Sequence, residues 1–271
     1  MRLNLRYSTL SLLTQYAIKY LPKNIRCSRD DSKSLLNQFF QRRRLIVISE
    51  ELESKLRLLT ETVETLEAKQ TEVEDIEAIN KLQNAYAYYL EHWQEKEILG
   101  LWSHRPDVTL EMNDGGQYKG WEGVKNTFRF SDHYTAHTEK KKAPPEYLHI
   151  MMPNAGIVHL VPDGKTAKGR WYGFFIGALP RGGKLRALIG CGIWENEFVK
   201  EDGIWKFRKL FWNDIFSSPL DEGWVKTPWI PNPPAKHQYM ADVPPSPGYH
   251  FSPYPSGNIF PYHYKNPVAG K

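Results

Sequence analysis

Residues 147–216 read YLHIMMPNAGIVHLVPDGKTAKGRWYGFFIGALPRGGKLRALIGCGIWENEFVKEDGIWKFRKLFWNDIF, and three turn dipeptides divide this stretch. Asp163-Gly164, Gly182-Gly183 and Asp202-Gly203 are each flanked by runs rich in aromatic and β-branched residues, the pattern of consecutive β-hairpins. The spacing predicts an antiparallel meander with strands at 147–161, 166–178, 185–198 and 204–216. Upstream, Ile76, Ile79, Leu82, Tyr86, Tyr89 and Leu90 fall on one helical face in a pattern that runs to about Gly100. A short strand is expected at Val108–Met112, closed by Asp114-Gly115-Gly116, then a helix at Glu122–Phe130. The segment 131–146, with Lys140-Lys-Lys142 and Pro144-Pro145, reads as loop. Helices first and a long curved antiparallel sheet afterwards make an α+β domain with the helices packed into the concave face, here bounded at 75–226.

Residues 45–74 carry a different period. Leu45, Leu52, Leu59, Leu66 and Val73 recur every seven residues, with Leu56 and Val63 at the alternate position and no Pro or Gly between them. That is a coiled-coil seam, and strict heptad spacing gives a stripe narrower than a globular helix needs, so self-association as a dimer or trimer is expected. The flanking positions are mixed, since Lys69 can reach a partner's Glu74 while Thr60 and Thr62 carry no charge.

The ends of the chain differ from its body. Of the net charge of +5 over 271 residues, residues 1–44 contribute +8, leaving a body of net −3. A basic, flexible leader is therefore expected at 1–44, and it also resembles an organellar transit segment. Excess charge confined to one end argues against a nucleic-acid partner. The longest aliphatic run, Leu45-Ile46-Val47-Ile48, falls far short of the roughly 20 apolar residues of a membrane span. Two cysteines in separate regions, Cys27 and Cys191, support a reducing, cytoplasmic setting and no disulfide framework. Residues 227–271 hold eleven prolines interleaved with aromatics, which rules out helix or central strand and predicts an extended arm that wraps the domain or a neighbouring subunit.

The motifs AINKLQNAYAYYLEHWQEKEILGLW, VTLEMNDGGQYKGWEGV, YLHIMMPNAGIVHL and ENEFVKEDGIWKFRKL, in this order and spacing, resemble the SnoaL-like group of the nuclear transport factor 2 (NTF2)-like superfamily over about residues 72–225. The resemblance implies a cone-shaped, barrel-like α+β fold around an apolar pocket, with dehydratase-type lyases among its members. It implies a catalytic histidine at His149, a partner acid at Glu91, where the family usually has Asp, and a tyrosine at Tyr86. It implies no cofactor.

The residue chemistry agrees. Elimination beside a carbonyl needs a base near neutral pKa and a proton for the leaving group, and histidine serves both steps. A carboxylate on the far imidazole nitrogen would fix the tautomer. Tyr86 would hydrogen-bond the substrate carbonyl, with Tyr89 nearby and Tyr172 as a further donor. Period two puts Tyr147 and Met151 on the His149 side of its strand, and Trp102, Phe128, Trp171 and Trp194 extend an aromatic lining suited to a flat, ring-containing or polyketide- or steroid-like molecule. His133 and His137 lack the glutamate of a zinc-protease motif, so no metal is expected. Gly190-Cys191-Gly192 has no following helix and is no phosphate cradle. The reading is a cofactor-independent lyase on a small apolar substrate. Its alternatives are a non-catalytic ligand-binding or assembly module, and an isomerase or epoxide hydrolase on the same scaffold.

Overall fold

The computed structural model describes residues 29–112, 115–128, 146–181, 184–230, 241–246 and 251–268. Most of the basic leader, Cys27, His133, His137, nearly all of the 131–146 segment, the Gly182-Gly183 turn and three stretches of the C-terminal arm lie outside the described residues. The chain divides into two units, Met1–Ala68 and Lys69–Lys271.

Helix α1 spans Arg29–Glu91. This span contains no Pro or Gly and is dense in Leu, Glu, Lys, Arg and Gln, which lose little rotamer freedom in a helix. It begins inside the segment expected as a leader and merges the two helical patterns expected at 45–74 and from 76 onward, because nothing at residue 75 breaks the backbone. In the first unit the heptad residues Leu52, Leu56, Leu59, Val63 and Leu66 are exposed.

The second unit is α+β. Beyond α1 come α2 (Glu95–Gly100), β1 (Thr109–Met112), β2 (Gly116–Lys119), α3 (Gly120–Thr127), β3 (Leu148–Leu160), β4 (Thr166–Arg181), β5 (Lys184–Glu201), β6 (Ile204–Pro219) and the short α4 (Gly223–Lys226). The strands form one curved sheet in the order β2-β1-β6-β5-β4-β3, with β1 parallel to β6 and every other pair antiparallel. The four-strand meander lies within a few residues of its expected bounds. Strand β2, Gly116–Lys119, is an addition to the expected elements, because four residues are too few for a strand pattern to show. The sheet does not close, since β2 and β3 are its edges. Bulges at Asn154/Ile157 on β3 and at Cys191/Gly192 and Glu197/Phe198 between β5 and β6 bend the long strands.

The inner face of this sheet holds the core. Trp171, Trp194, Phe198, Phe207 and Leu210 pack against Ile79, Leu82 and Tyr86 of α1, with Trp102, Val124 and Phe128 completing the cluster. Truncating one such buried aromatic costs about 3–5 kcal/mol. Three polar side chains of α1 fix its register on the sheet. Asp75 accepts from Lys200 Nζ (2.7 Å) and from Trp205 Nε1 (2.8 Å), Asn80 accepts from Trp171 Nε1 (3.3 Å), and Gln83 accepts from Asn196 Nδ2 (2.8 Å). Gly173 and Gly192 leave room for the Trp212 indole, which a Cβ would meet at 2.5 and 2.3 Å.

The arm lies on its own domain. Ile230 N donates to Ser217 O, Val243 bridges Gln117 on the β2 edge, Ser246 bonds the buried Glu111 carboxylate, and Tyr254 N donates to Ile215 O. On the outer face, Arg170 pairs with Glu195 at 2.6 Å, donates to the Pro261 carbonyl at 2.8 Å, and lies 4.2 Å from the Tyr262 ring. His263 bonds Glu195 through Nδ1 and His159 through Nε2.

Candidate active site

The C-terminus of α1 decides the geometry around His149. The helix ends in a Schellman turn: Gln94 N–H reaches Tyr89 O (3.0 Å) and Trp93 N–H reaches Leu90 O (3.2 Å). The left-handed position of that turn is Trp93, at φ 53°. Glycine is the residue that takes this conformation without cost, and a bulky residue held there stores about 1–3 kcal/mol.

This turn brings two side chains against β3, the open edge of the sheet. Glu91, only 8% exposed, accepts the Met151 backbone N–H at 2.9 Å through Oε1. Alternate residues of a strand point their amides the same way, so Pro153 stands on that open edge too, where its missing N–H leaves no gap. Trp93 donates its indole N–H to the Tyr147 hydroxyl, and the Tyr147 hydroxyl lies 3.5 Å from the Glu91 carbonyl oxygen.

His149 sits between these groups. Its ring stacks on Trp93 with centroids 5.8 Å apart and planes 20° apart, and meets Phe175 edge-on at 6.5 Å. Phe175 lies across from Met151 in the β3–β4 register and packs on Leu188, Tyr147, Met151 and Ile230 of the arm. The structure therefore brings together Glu91, Trp93, Tyr147, His149, Met151 and Phe175. The resulting site is aromatic on three sides and carries an imidazole, a phenol and a carboxylate.

The other residues singled out from the sequence lie elsewhere. Tyr86 is buried in the main core with its ring edge-on to Phe128, Trp194 and Phe207, and burial pushes its phenol well above the ordinary range. Five helical residues subtend about 140°, so Tyr86 and Glu91 diverge from one straight helix. Trp102, Phe128, Trp171 and Trp194 are core residues beside Tyr86, and Tyr89 packs at the edge of that cluster. Tyr172 is 46% exposed on the outer face, because it is adjacent in a strand to the inward Trp171. Trp93 and Phe175 escaped the sequence reading: nothing in the sequence marks a left-handed tryptophan, and Phe175 reaches His149 only through cross-strand register. Cys191 is buried, and burial pushes its thiol up to about 11, which leaves no thiolate for nucleophilic chemistry. Among the described residues no group of three or more His, Cys, Asp or Glu side chains converges as a metal requires, and no helix is long and apolar enough to cross a membrane.

The profile of the SnoaL-like domain matches residues 71–210, more than half of the chain. The chain belongs to the SnoaL-like family. The matched residues run from the C-terminal part of α1 into β6, so they take in the open curved sheet and the helices on its inner face. No curated protein sequence matches the chain significantly. Among solved structures, the SnoaL-like chain is similar to a hexachlorocyclohexane dehydrochlorinase from Novosphingobium barchaimii, at 20% identity over 56% of this chain and 94% of the other, with a TM-score of 0.45. It is also similar to an NTF2-like protein with a cystatin-like fold from Novosphingobium aromaticivorans, at 15% identity over 59% and 92% of the two chains, with a TM-score of 0.40.

Proposed function

We propose that this SnoaL-like protein is a cofactor-independent lyase that removes water, or a comparable small leaving group, from an apolar ring-containing substrate activated by a carbonyl. The observation that carries the reading is the placement of His149 among aromatic side chains, stacked on Trp93 and on one strand face with Tyr147. In this reading the neutral imidazole of His149 takes the proton from the carbon next to the carbonyl. The C–H electron pair becomes the new C=C bond, and the hydroxyl on the next carbon leaves with the proton from the imidazolium, as water. The Tyr147 hydroxyl donates to the substrate carbonyl as enolate charge develops. Glu91 acts as a positioning residue: its bond to the Met151 amide holds the strand that carries His149. The walls of the site are aromatic and thioether groups, so a flat apolar substrate is the class that fits.

The test is turnover of a panel of ring-containing β-hydroxy ketones, followed by mass loss of water. His149→Ala lowers kcat by at least about a hundredfold, whereas retention of wild-type turnover on a substrate the protein converts overturns the reading. A second reading, a binding module without catalysis, is favoured by the engagement of Glu91 with a backbone amide. Ligand binding by the same panel with no conversion by the wild-type protein would establish it.

A further inference from the structure

The heptad face of α1 is an unpartnered helix face within its own unit. Leu52, Leu56, Leu59, Val63 and Leu66 are 44–61% exposed there, and Val73, at the next heptad position, is 66% exposed. We propose that this face docks on the same face of a second copy, as a parallel, in-register, two-stranded coiled coil, independently of the lyase reading.

The register follows from the spacing. Leu52, Leu59, Leu66 and Val73 occupy d, and Leu56, Val63 and Gln70 occupy a. The flanking charges then select both partner and orientation. The e column is Glu53, Thr60, Glu67 and Glu74, and the g column is Ile48, Lys55, Thr62 and Lys69. In a parallel in-register pair each g residue faces the e residue five positions on in the other chain. Lys69 then meets Glu74, Lys55 meets Thr60, Thr62 meets Glu67, and no like charges oppose. An antiparallel pair would set the acidic e column against itself and Lys55 against Lys69. Lys69 and Glu74 stand on the same helix, so a second copy in register meets each with the opposite charge at two symmetric sites, which makes a second copy the occupant. Leu at three of the four d positions with the β-branched Val63 at a is the combination that favours two strands. In the isolated chain Lys55 pairs with Glu51 at 2.7 Å and Gln70 with Glu74 at 2.7 Å, on the surface and within one helix, so association needs only side-chain rearrangement.

Light scattering of the full chain at micromolar concentration should give twice the 31.6 kDa chain mass. Lys69→Glu should weaken the dimer roughly tenfold by placing like charges together at two symmetric sites, and adding Glu74→Lys should restore it. Orientation is read by oxidative cross-linking in a Cys27→Ser background. Leu52→Cys should link to itself, and a mixture of Leu52→Cys with Gln70→Cys, the position that residue 52 meets in the antiparallel pair, should give self-links rather than mixed links. A monomer overturns the proposal, a trimer overturns the strand number, and mixed links between positions 52 and 70 overturn the orientation. Positions 52, 69, 70 and 74 are exposed on the helix, and unchanged far-ultraviolet circular dichroism separates loss of pairing from loss of fold.

Discussion

Trp93 stacks on His149 with ring centroids 5.8 Å apart, from a backbone held in the left-handed region at φ 53°. A strained residue persists only where its surroundings over-determine it, and here the Schellman turn below and the Tyr147 hydroxyl beside it do so. Strain of this kind points to a site, and the site it points to is the one around His149.

Trp93→Gly separates the two roles. The backbone relaxes, while the stack and the indole hydrogen bond to Tyr147 are lost. We expect the His149 ring protons to move downfield in NMR spectra as the indole ring current disappears, with turnover falling at least about tenfold, a loss of some 1.4 kcal/mol of transition-state stabilisation. Unchanged His149 resonances would show that the stack is not maintained in solution.

Tyr86 and Tyr147 give opposite outcomes. Tyr86 is edge-on to three core aromatics. Tyr86→Phe should leave turnover within about threefold, while Tyr86→Ala should cost about 3–5 kcal/mol in denaturant unfolding. Tyr147→Phe removes the hydroxyl beside His149 and should lower kcat by about a hundredfold, the size of losing one donor to a developing oxyanion. A large effect of Tyr86→Phe on kcat would return Tyr86 to the catalytic role that family position implies.

Asp75 is the polar anchor between α1 and the last hairpin, with both Lys200 Nζ and Trp205 Nε1 bound to Oδ1. Asp75→Ala strands a buried indole N–H and a partly buried ammonium. The expected loss is about 2 kcal/mol, discounted from a fully buried pair because Lys200 retains some access to water. A midpoint shift in urea unfolding with unchanged slope would confirm it.

The arm should loosen on acidification. His159 donates or accepts across 2.9 Å to His263, which in turn holds Glu195, and Arg170 and Tyr264 face the same cluster. Burial, and then the neighbouring His263, hold His159 below its ordinary value of 6.5. The docked state therefore binds fewer protons than the undocked one between that lowered value and about 6.5. Docking is complete above this window and weakens as the pH falls through it, because a charged His159 imidazole is disfavoured where docking takes it out of water. Protection of the amides of residues 260 and 262–264, taken relative to the intrinsic exchange rate at each pH, should fall between pH 7.5 and 5.5, and His159→Gln should flatten the change.

The meander was legible because Asp-Gly and Gly-Gly turns and alternating aromatics are local signals. The helix carrying Ile79, Leu82 and Tyr86 was legible for the same reason, and those side chains are buried where the period placed them. The continuity of α1 across residue 75 was not legible from composition, since a change in charge does not end a helix that no Pro or Gly interrupts. The site was half legible. Tyr147, His149 and Met151 share a strand face by period two, but Trp93 and Phe175 join them through a helix terminus and a strand pairing that span 56 and 26 residues from His149.

By itself the sequence determined the four meander strands, the helical faces, the heptad period and the position of the histidine, because each depends on spacing over a few turns or pleats. Only the tertiary structure decided what surrounds that histidine. Glu91 bonds the Met151 amide, Trp93 takes the left-handed turn position, and Tyr86 is turned into the core. These outcomes are set by where a helix ends against a sheet edge, a matter of packing among distant elements that no local pattern of residues records.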